Sequence, residues 1–273
     1  ATLAYRFRNG NQVTFEAWEI NVNKLLDDVM AYLRSNPRQL DWNKLNIQDI
    51  GYRLVEQRRS EYITGRVANW TLAVSPRPEH VDARITVQTP LDKAGAYLVT
   101  ATMNNGNTTR ILAWLNDTII VRKQLDGKSL YYVADAVTGK PLADMPVELF
   151  VYRQAQIGRT NNFKTVTTQF TQKTDADGLA VVDRSKIPED YNWQWLTLVR
   201  TPPQAGKNGR LAYTGFSHVW FGQHHDAEYN ATKVFAITDR PVYRPLQKVQ
   251  FKLWIAHAKY DQQDASPFAE KTF

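Results

Sequence analysis

The sequence predicts a mainly β protein made of tandem antiparallel β-sandwich domains, with a short helical insertion in the first domain. Short segments rich in β-branched and aromatic residues recur along the chain, and turn signals separate them at close spacing. A parallel sheet would need crossover helices between its strands, and the second half of the chain shows no such helices. A length of 273 residues suffices for two to three sandwiches of about 100 residues each.

Composition excludes several classes of protein and site. The net charge is +7, but the lysines and arginines are scattered and cluster no more tightly than pairs such as Arg58–Arg59, so we expect no nucleic-acid partner. The chain has no cysteine, which excludes disulfides, thiol nucleophiles and cysteine-ligated zinc. No apolar run approaches the roughly 18 residues that cross a bilayer, so we expect no transmembrane segment here.

The first predicted domain, residues 1–118, begins with two strands, Leu3–Arg8 and Gln12–Ile20. Asn9-Gly10 stands between them and predicts a two-residue hairpin, because both residue types tolerate a positive φ. Both faces of the second strand carry mixed polar and apolar residues, which leaves its buried face undecided.

A helical period follows these strands. Apolar residues from Leu25 to Leu33 recur at three- and four-residue spacing, Asn21 or Asn23 can cap the start, and Asn36-Pro37 ends the helix. The pattern favours a second, weaker helix around 43–54. The remaining strands predicted for this domain are Gly65–Val74, Ala83–Thr89, Ala96–Met103 and Thr108–Leu115.

The second predicted domain, residues 119–230, has the pattern of a complete sandwich. Turn-rich segments such as Thr138–Pro141 and Asp175–Gly178 separate its strands. The predicted strands are Thr118–Lys123, Leu130–Asp135, Pro146–Tyr152, Lys164–Lys173, Leu179–Asp183, Trp193–Arg200 and Arg210–Phe221.

The third predicted domain, residues 231–273, contains an apolar run, Val234–Ile237, and an alternating strand from Val249 to Ile255. A segment of this length is too short to close a sandwich, so we expect a truncated domain.

The segment Thr238–Pro245 joins these two strands and is called the elbow below. Its prolines fix φ and withhold two backbone donors, which excludes the middle of a central strand and indicates a rigid bend. The predicted structural residues of the elbow are Asp239, Arg240, Pro241, Tyr243, Arg244 and Pro245.

The elbow is similar to the motif that opens a macroglobulin domain in bacterial alpha-2-macroglobulins, Thr-Asp-Arg-Pro-x-Tyr-Arg-Pro-Gly followed by an alternating strand. Leu246 stands where that family usually has glycine, so we expect the turn after Pro245 to differ locally. Two earlier motifs, Asp135–Leu142 and Lys173–Ala180, resemble the preceding domain of the same proteins and stand in the same order. The resemblance covers about residues 119–273 with specific motifs.

This resemblance implies macroglobulin-like, fibronectin-III-like sandwiches that serve as structural domains of a broad-spectrum endopeptidase inhibitor. Such a protein traps proteases, is no enzyme itself, and needs no cofactor in these domains. Its partners would be target proteases, bound through the intact parent protein, and the neighbouring domains of the same chain. The resemblance also implies a periplasmic, cell-surface or secreted location, and the thioester common in the family lies outside this cysteine-free chain.

Other interpretations compete with the structural one. Eight tryptophans, including Trp193 and Trp195 on one strand face, suit a ligand- or carbohydrate-binding module of a bacterial envelope protein as well as a packed core. His224-His225-Asp226 is the one metal-like cluster, but adjacent residues of an extended chain point to opposite faces. Asp175 and Asp177 resemble the start of a calcium loop that lacks its later ligands, so a hairpin turn is favoured.

Overall fold

The protein is mainly β, with several antiparallel sheets and two short helices among the residues that the structure describes. The computed structural model describes residues 1–47, 51, 54, 60–125, 127–159, 162–186, 193–203, 209–219, 231–259 and 268.

The helices are α1 (Val22–Arg34) and α2 (Trp42–Leu45). The strands are β1 (Thr2–Phe7), β2 (Gln12–Ile20), β3 (Ile63–Ala73), β4 (Ala83–Gln88), β5 (Gly95–Met103), β6 (Thr108–Leu115), β7 (Thr118–Leu125), β8 (Lys128–Asp135), β9 (Pro146–Gln156), β10 (Phe163–Lys173), β11 (Leu179–Asp183), β12 (Gln194–Arg200), β13 (Leu211–Tyr213), β14 (Ser217–His218), β15 (Thr232–Thr238) and β16 (Phe251–His257).

Two antiparallel sheets form the first sandwich. One pairs β1 with β4, and the other has the strand order β3-β2-β5-β6. Alternate residues of the facing strands are buried together in one apolar cluster, as the two-residue period of a strand requires. Phe7, Phe15, Val87 and Val99 belong to this cluster.

The predicted hairpin at Asn9-Gly10 is wrong. β1 pairs with β4, whereas β2 pairs with β3 and β5, so the Asn9-Gly10 segment carries the chain from one sheet to the other. A two-residue hairpin of the predicted type needs positive φ at both central residues, and only Asn9 adopts it, at 64°. Gly10 lies against Met103, since a Cβ there would meet the methyl carbon of Met103 at 1.7 Å and the methionine side chain would have to shift.

Both faces of β2 contribute buried residues, although the sequence leaves the buried face of this strand undecided. Val13, Phe15 and Ala17 point into the first sandwich. Ile20 lies on the opposite face, as the two-residue alternation of a strand requires, and belongs to a second apolar cluster on the other side of the sheet. The pairing of β2 with β3 also shifts register after Ala17 and again after Glu19.

Helix α1 confirms the predicted helical insertion and lies at the centre of this second cluster. Asn21 caps it, since its side-chain oxygen accepts a hydrogen bond from the amide of Lys24 at 2.9 Å. The apolar stripe packs against Leu98 of β5 on one side and against Phe150 of β9 and Leu196 of β12 on the other. The helix therefore separates two sheets and buries an apolar face of each.

The second pair of sheets follows α1. A five-stranded sheet has the order β10-β9-β12-β13, with β14 also pairing with β12, and a three-stranded sheet has the order β11-β8-β7. Every residue of β12 from Trp195 to Val199 is buried. Continuous burial along one strand means that both faces of this sheet are covered, and α1 covers one of them.

The second predicted helix, around 43–54, begins as α2 and breaks at Asn46 and Ile47, while the described residues Gly51 and Leu54 are again helical. Helix α2 is capped by Asp41, whose carboxylate accepts from the amide of Asn43 at 3.0 Å. Residues 48–50 and 52–53 of the predicted range lie outside the described residues.

The chain divides by contacts into two compact units. Unit 1 comprises residues 1–123 and 129–219, and unit 2 comprises residues 124–128 and 220–273. Within unit 2, β15 and β16 form an antiparallel pair in register from Thr232↔His257 to Thr238↔Phe251. The predicted domains 1–118, 119–230 and 231–273 stay a prediction. None of the helices in the described ranges is long and apolar enough to span a bilayer.

Truncating the buried stripe of α1 should destabilise unit 1. Leu25 is fully buried, so Leu25→Ala removes apolar contacts and leaves a cavity, and we expect a loss of about 2–5 kcal/mol in the free energy of unfolding. Urea denaturation followed by tryptophan fluorescence measures this loss. The control Asn23→Ala, at an exposed position of the same helix, should change stability by about 0.5 kcal/mol or less. Equal midpoints for both variants would contradict the central position of α1.

Candidate functional site

Polar contacts fix α1 on the five-stranded sheet, and we call them the helix clamp: Asp27, Arg34 and Asn36 with Glu148, Thr165, Gln169 and Arg200. Arg200 is central to it. Its Nε and Nη2 donate to the two oxygens of Glu148 at 3.0 and 3.1 Å, and its Nη1 donates to Asp27 of α1 at 2.7 Å. The hydrogen bonds to Glu148, and then to Asp27, hold the pKa of Arg200 above its ordinary value.

The clamp also holds the C-terminal end of the helix. Arg34 donates to the side chain of Gln169 on β10, and its guanidinium lies 5.3 Å from the ring centroid of Phe150. Just beyond the helix, Asn36 Oδ1 accepts from the amide of Thr165 at 2.8 Å. The clamp therefore contacts α1 at its middle, through Asp27, and at its C-terminal end, through Arg34 and Asn36, which fixes its position and direction on the sheet.

A second polar node surrounds Arg210, at the start of β13. Its guanidinium donates to the carbonyl of Asp117 at 2.7 Å, to Thr118 Oγ1 at 3.2 Å and to the carboxylate of Asp135 at 2.9 Å. Hydrogen bonds from Thr138, and then from Arg210, hold the pKa of Asp135 well below its usual range. Arg210 thereby ties the five-stranded sheet to the connection between β6 and β7.

A cleft of about 770 Å³ opens beside this node, within unit 1. Its walls include the start of α1, the first residues of β5 and β7, the end of β6, and β13. Trp114 and Tyr213 line it as an aromatic pair with ring centroids 5.9 Å apart. Burial raises the pKa of Tyr213 to about 12, whereas Trp114 is 39% exposed.

A smaller cavity of about 570 Å³ lies between α2 and the five-stranded sheet. Trp42, 69% exposed, stands on its wall, and Tyr152 and Phe216 meet edge to face in it at 5.1 Å. The exposed Trp42 indole and the Tyr152–Phe216 aromatic pair thus line the same cavity.

The elbow in unit 2 forms one hydrogen-bonded group around Asp239. The carboxylate accepts from the hydroxyl of Tyr243, from Arg240 Nε at 3.0 Å and from the amide of Gln250 at 3.1 Å. The Tyr243 hydroxyl, and then Arg240, lower the pKa of Asp239. The guanidinium of Arg240 lies 5.7 Å from the Tyr243 ring centroid, so the predicted residues Asp239, Arg240 and Tyr243 do contact one another.

The other predicted elbow residues shape the backbone. The amide of Arg244 donates to Gln247 Oε1 at 2.9 Å, and the amide of Gln247 donates back to the carbonyl of Arg244 at 3.1 Å, which closes a turn over Pro245 and Leu246. Pro241 precedes Val242, which is 76% exposed.

Leu246 adopts the left-handed conformation, with φ at 69°, and its side chain is fully exposed. This is the backbone region that glycine favours and that costs a leucine roughly 1–2 kcal/mol. The turn therefore keeps a left-handed residue at the position where the sequence lacks the glycine.

The remaining candidates from the sequence fall into three groups. Trp193 and Trp195 are 5% and 1% exposed and belong to the core. Asp175 accepts from the amides of Asp177 and Leu179, both at 2.9 Å, as in a hairpin turn. His224-His225-Asp226 lies outside the described residues.

Sequence reasoning missed Arg200 and Arg210, the arginines on which the clamp and the second node depend. No local signal marks them, because their carboxylate partners stand 52 to 173 residues away in the chain. Trp114 was also missed, since nothing in its sequence context separates a core indole from one that lines a cleft.

Comparison with solved structures found distant neighbours. A crystal structure of native alpha-2-macroglobulin from Escherichia coli spanning domains MG0-NIE-MG1 matches 77% of this chain at 16% identity and a TM-score of 0.43, and the chain spans 57% of that structure. A shorter structure of the same protein, spanning NIE-MG1, matches 77% of this chain and 86% of its own length, at 16% identity and a TM-score of 0.44. These values do not show family membership.

Two other comparisons found no match: no protein-family model and no curated protein resembles the chain closely enough to be assigned.

The two ion pairs of Arg200 should differ in strength. The Glu148 side chain is 16% exposed and takes a bidentate contact, whereas the Asp27 side chain is 55% exposed. We expect a coupling energy of about 1.5–3 kcal/mol for Glu148–Arg200 and below about 1 kcal/mol for Asp27–Arg200. Double-mutant cycles with Glu148→Gln, Asp27→Ala and Arg200→Met, read by urea denaturation, measure both. A stronger coupling for Asp27 would contradict this ranking.

Relieving the left-handed leucine should stabilise unit 2. We expect Leu246→Gly to raise its stability by about 1 kcal/mol, because glycine adopts this φ without steric cost. Thermal melting of the chain measures the change. Val242→Gly is the matched control: it is also exposed and lies in the same segment, but outside the left-handed region, so it should destabilise by roughly 0.5–1 kcal/mol. Stabilisation by both substitutions, or by neither, would contradict the assignment.

Proposed function

We propose that this chain supplies structural domains of a broad-spectrum endopeptidase inhibitor, a protease-trapping alpha-2-macroglobulin-like protein. The observation that carries the proposal is the elbow. The residues that resemble the macroglobulin-domain motif act together, since one carboxylate, Asp239, accepts hydrogen bonds from Arg240, Tyr243 and Gln250. A motif that fixes the shape of a chain segment suits a frame better than a recognition surface.

The construction of unit 1 supports the same function. Its sheets both pack on one buried helix, which the clamp fixes to the five-stranded sheet, so the sheets are expected to move together. A protein that collapses around a protease needs such stiff parts to transmit the movement. In this proposal the chain is no enzyme, its parent binds target proteases, and it works in the periplasm, at the cell surface or as a secreted protein.

A ligand-binding or carbohydrate-binding envelope module is the second candidate. It is favoured by Trp114 and Trp42, two solvent-facing indoles beside cavities. A glycan array probed with the chain and with Trp114→Ala tests it, and glycan binding that Trp114→Ala abolishes would favour this candidate over the trap.

Trapping has a kinetic signature that tests the main proposal. A trapped protease loses activity towards a large protein but keeps it towards a small chromogenic peptide, because only the large substrate is kept out. We expect this split with the parent protein and equimolar trypsin or elastase. The 273-residue chain alone should protect neither substrate. Protection by the isolated chain, or equal inhibition of both substrates by the parent, would contradict the proposal.

The elbow variants separate a structural role from a recognition role. Asp239→Ala should lower the melting temperature of the parent, because it removes an acceptor shared by three donors. Arg244→Ala is the control, since the described contacts of Arg244 in the elbow are made by its backbone. Unchanged melting together with lost protease binding would make the elbow a recognition site instead.

A further inference from the structure

Among the residues that the structure describes, one edge of the five-stranded sheet has no further strand paired with it and borders the cleft. β13 stands at the end of the strand order, and its register with β12 pairs Leu198 with Tyr213, Val199 with Ala212, and Arg200 with Leu211. The flanking bonds, from the amide of Thr201 to the carbonyl of Arg210 and from the amide of Thr214 to the carbonyl of Thr197, fix which of these pairs are hydrogen-bonded.

Hydrogen-bonded pairs alternate with non-bonded pairs along an antiparallel ladder. Ala212 lies two residues from Arg210 and two from Thr214, so its amide and carbonyl face β12. The amides and carbonyls of Leu211 and Tyr213 therefore point away from β12, towards the free edge in the plane of the sheet. All three residues of β13 line the 770 Å³ cleft, so the cleft borders this edge of the sheet.

The rest of the cleft wall provides an aromatic ring and charged side chains. Trp114, at the end of β6, lies 5.9 Å from the ring of Tyr213 and leaves part of its indole exposed. Ionic groups on the walls are balanced, with the cations Lys93 and Arg210 against the anions Glu19 and Asp117. Arg210 also bonds Asp117 and Thr118 at the start of β7, and so holds one end of the cleft at a fixed width.

We propose that this cleft accepts an extended peptide strand from a partner protein, which adds to the edge of β13 through the outward amides and carbonyls of Leu211 and Tyr213. Strand addition uses a row of donors and acceptors that repeats every two residues, and Leu211 and Tyr213 present that spacing. A sugar has no matching repeat, and a lipid chain would leave these polar groups without partners. The inference does not depend on the proposed function.

The cleft also defines the sequence of the peptide. A residue of the added strand on the same face as Tyr213 lies beside Trp114, where an aromatic or β-branched side chain packs best. Because the wall charges balance, a strand without net charge is preferred over a basic or an acidic one. The occupant is thus an uncharged extended segment with one large apolar residue opposite Tyr213.

A peptide selection on the whole chain tests the proposal. Linear 12-residue peptides displayed on phage are selected on the 273-residue protein, and the best synthetic peptide is titrated by calorimetry. We expect selected peptides with alternating β-branched or aromatic residues and no net charge. Leu211→Pro should weaken binding at least tenfold, because it removes one outward amide, and proline is tolerated at an edge where the amide faces solvent.

Side-chain variants then locate the peptide. Trp114→Ala should weaken binding at least tenfold, whereas Trp42→Ala, which removes the exposed indole of the other cavity, should leave the affinity unchanged. Failure to select any peptide, equal binding to Leu211→Pro, or binding of glycans in place of peptides at this cleft overturns the proposal.

Amide exchange keeps the test decisive even if Leu211→Pro does not fold. In the free chain the amide of Ala212 should exchange slowly and those of Leu211 and Tyr213 quickly, as read residue by residue by nuclear magnetic resonance. The bound peptide should slow exchange at Leu211 and Tyr213 at least tenfold. Slow exchange at both positions in the free chain, or no change on binding, overturns the proposal.

Discussion

The burial of α1 between two sheets is the contact on which the rest of unit 1 depends. A single apolar cluster contains residues of β2, β5, α1, β9 and β12, so elements from both ends of the unit share one core. An antiparallel sheet usually keeps one face in water. Here the helix covers an outer face of each of two sheets, which explains why β12 is buried without alternation and why Ile20, on the face of β2 opposite to Phe15, is buried as well.

Polar contacts fix the orientation of α1, which the apolar contact alone would not. Burial alone would let a helix rotate or slide on a sheet, because the hydrophobic effect is not directional. Arg200 holds the middle of α1 through Asp27, Asn36 holds the residue just beyond its C-terminal end, and Arg210 holds the β6–β7 connection. Unit 2 is similar in this respect, because the single carboxylate of Asp239 accepts the hydrogen bonds that hold the elbow together. In each case one charged side chain with several partners fixes a position that packing leaves free.

The positions of helices and strands were easier to predict from the sequence than the pairing of the strands. The helix from Val22 to Arg34 and nearly all strands follow from local periodicity, because each repeats a pattern within about ten residues. Pairing is not local. Asn9-Gly10 has the composition of a hairpin turn, yet the partner of β1 is β4, with Phe7 opposite Ala83, and no pattern near Asn9 indicates this. Arg200 and Arg210 were missed for the same reason, while the elbow was found because all its contacts lie within 12 residues, from Asp239 to Gln250.

The position of α1 also sets the order in which the protein can mature during synthesis. Asp27 and Arg200 are 173 residues apart, and Phe150 and Leu196 belong to the same apolar cluster as the helix. At a ribosomal rate of about 5–20 residues per second, the apolar stripe of α1 waits on the order of ten seconds or more before its second sheet emerges. During that interval the nascent chain carries an amphipathic helix with half of its apolar surface uncovered, which is the kind of surface that holding chaperones bind. The contact that buries α1 in the finished unit thus leaves apolar surface exposed in the early chain.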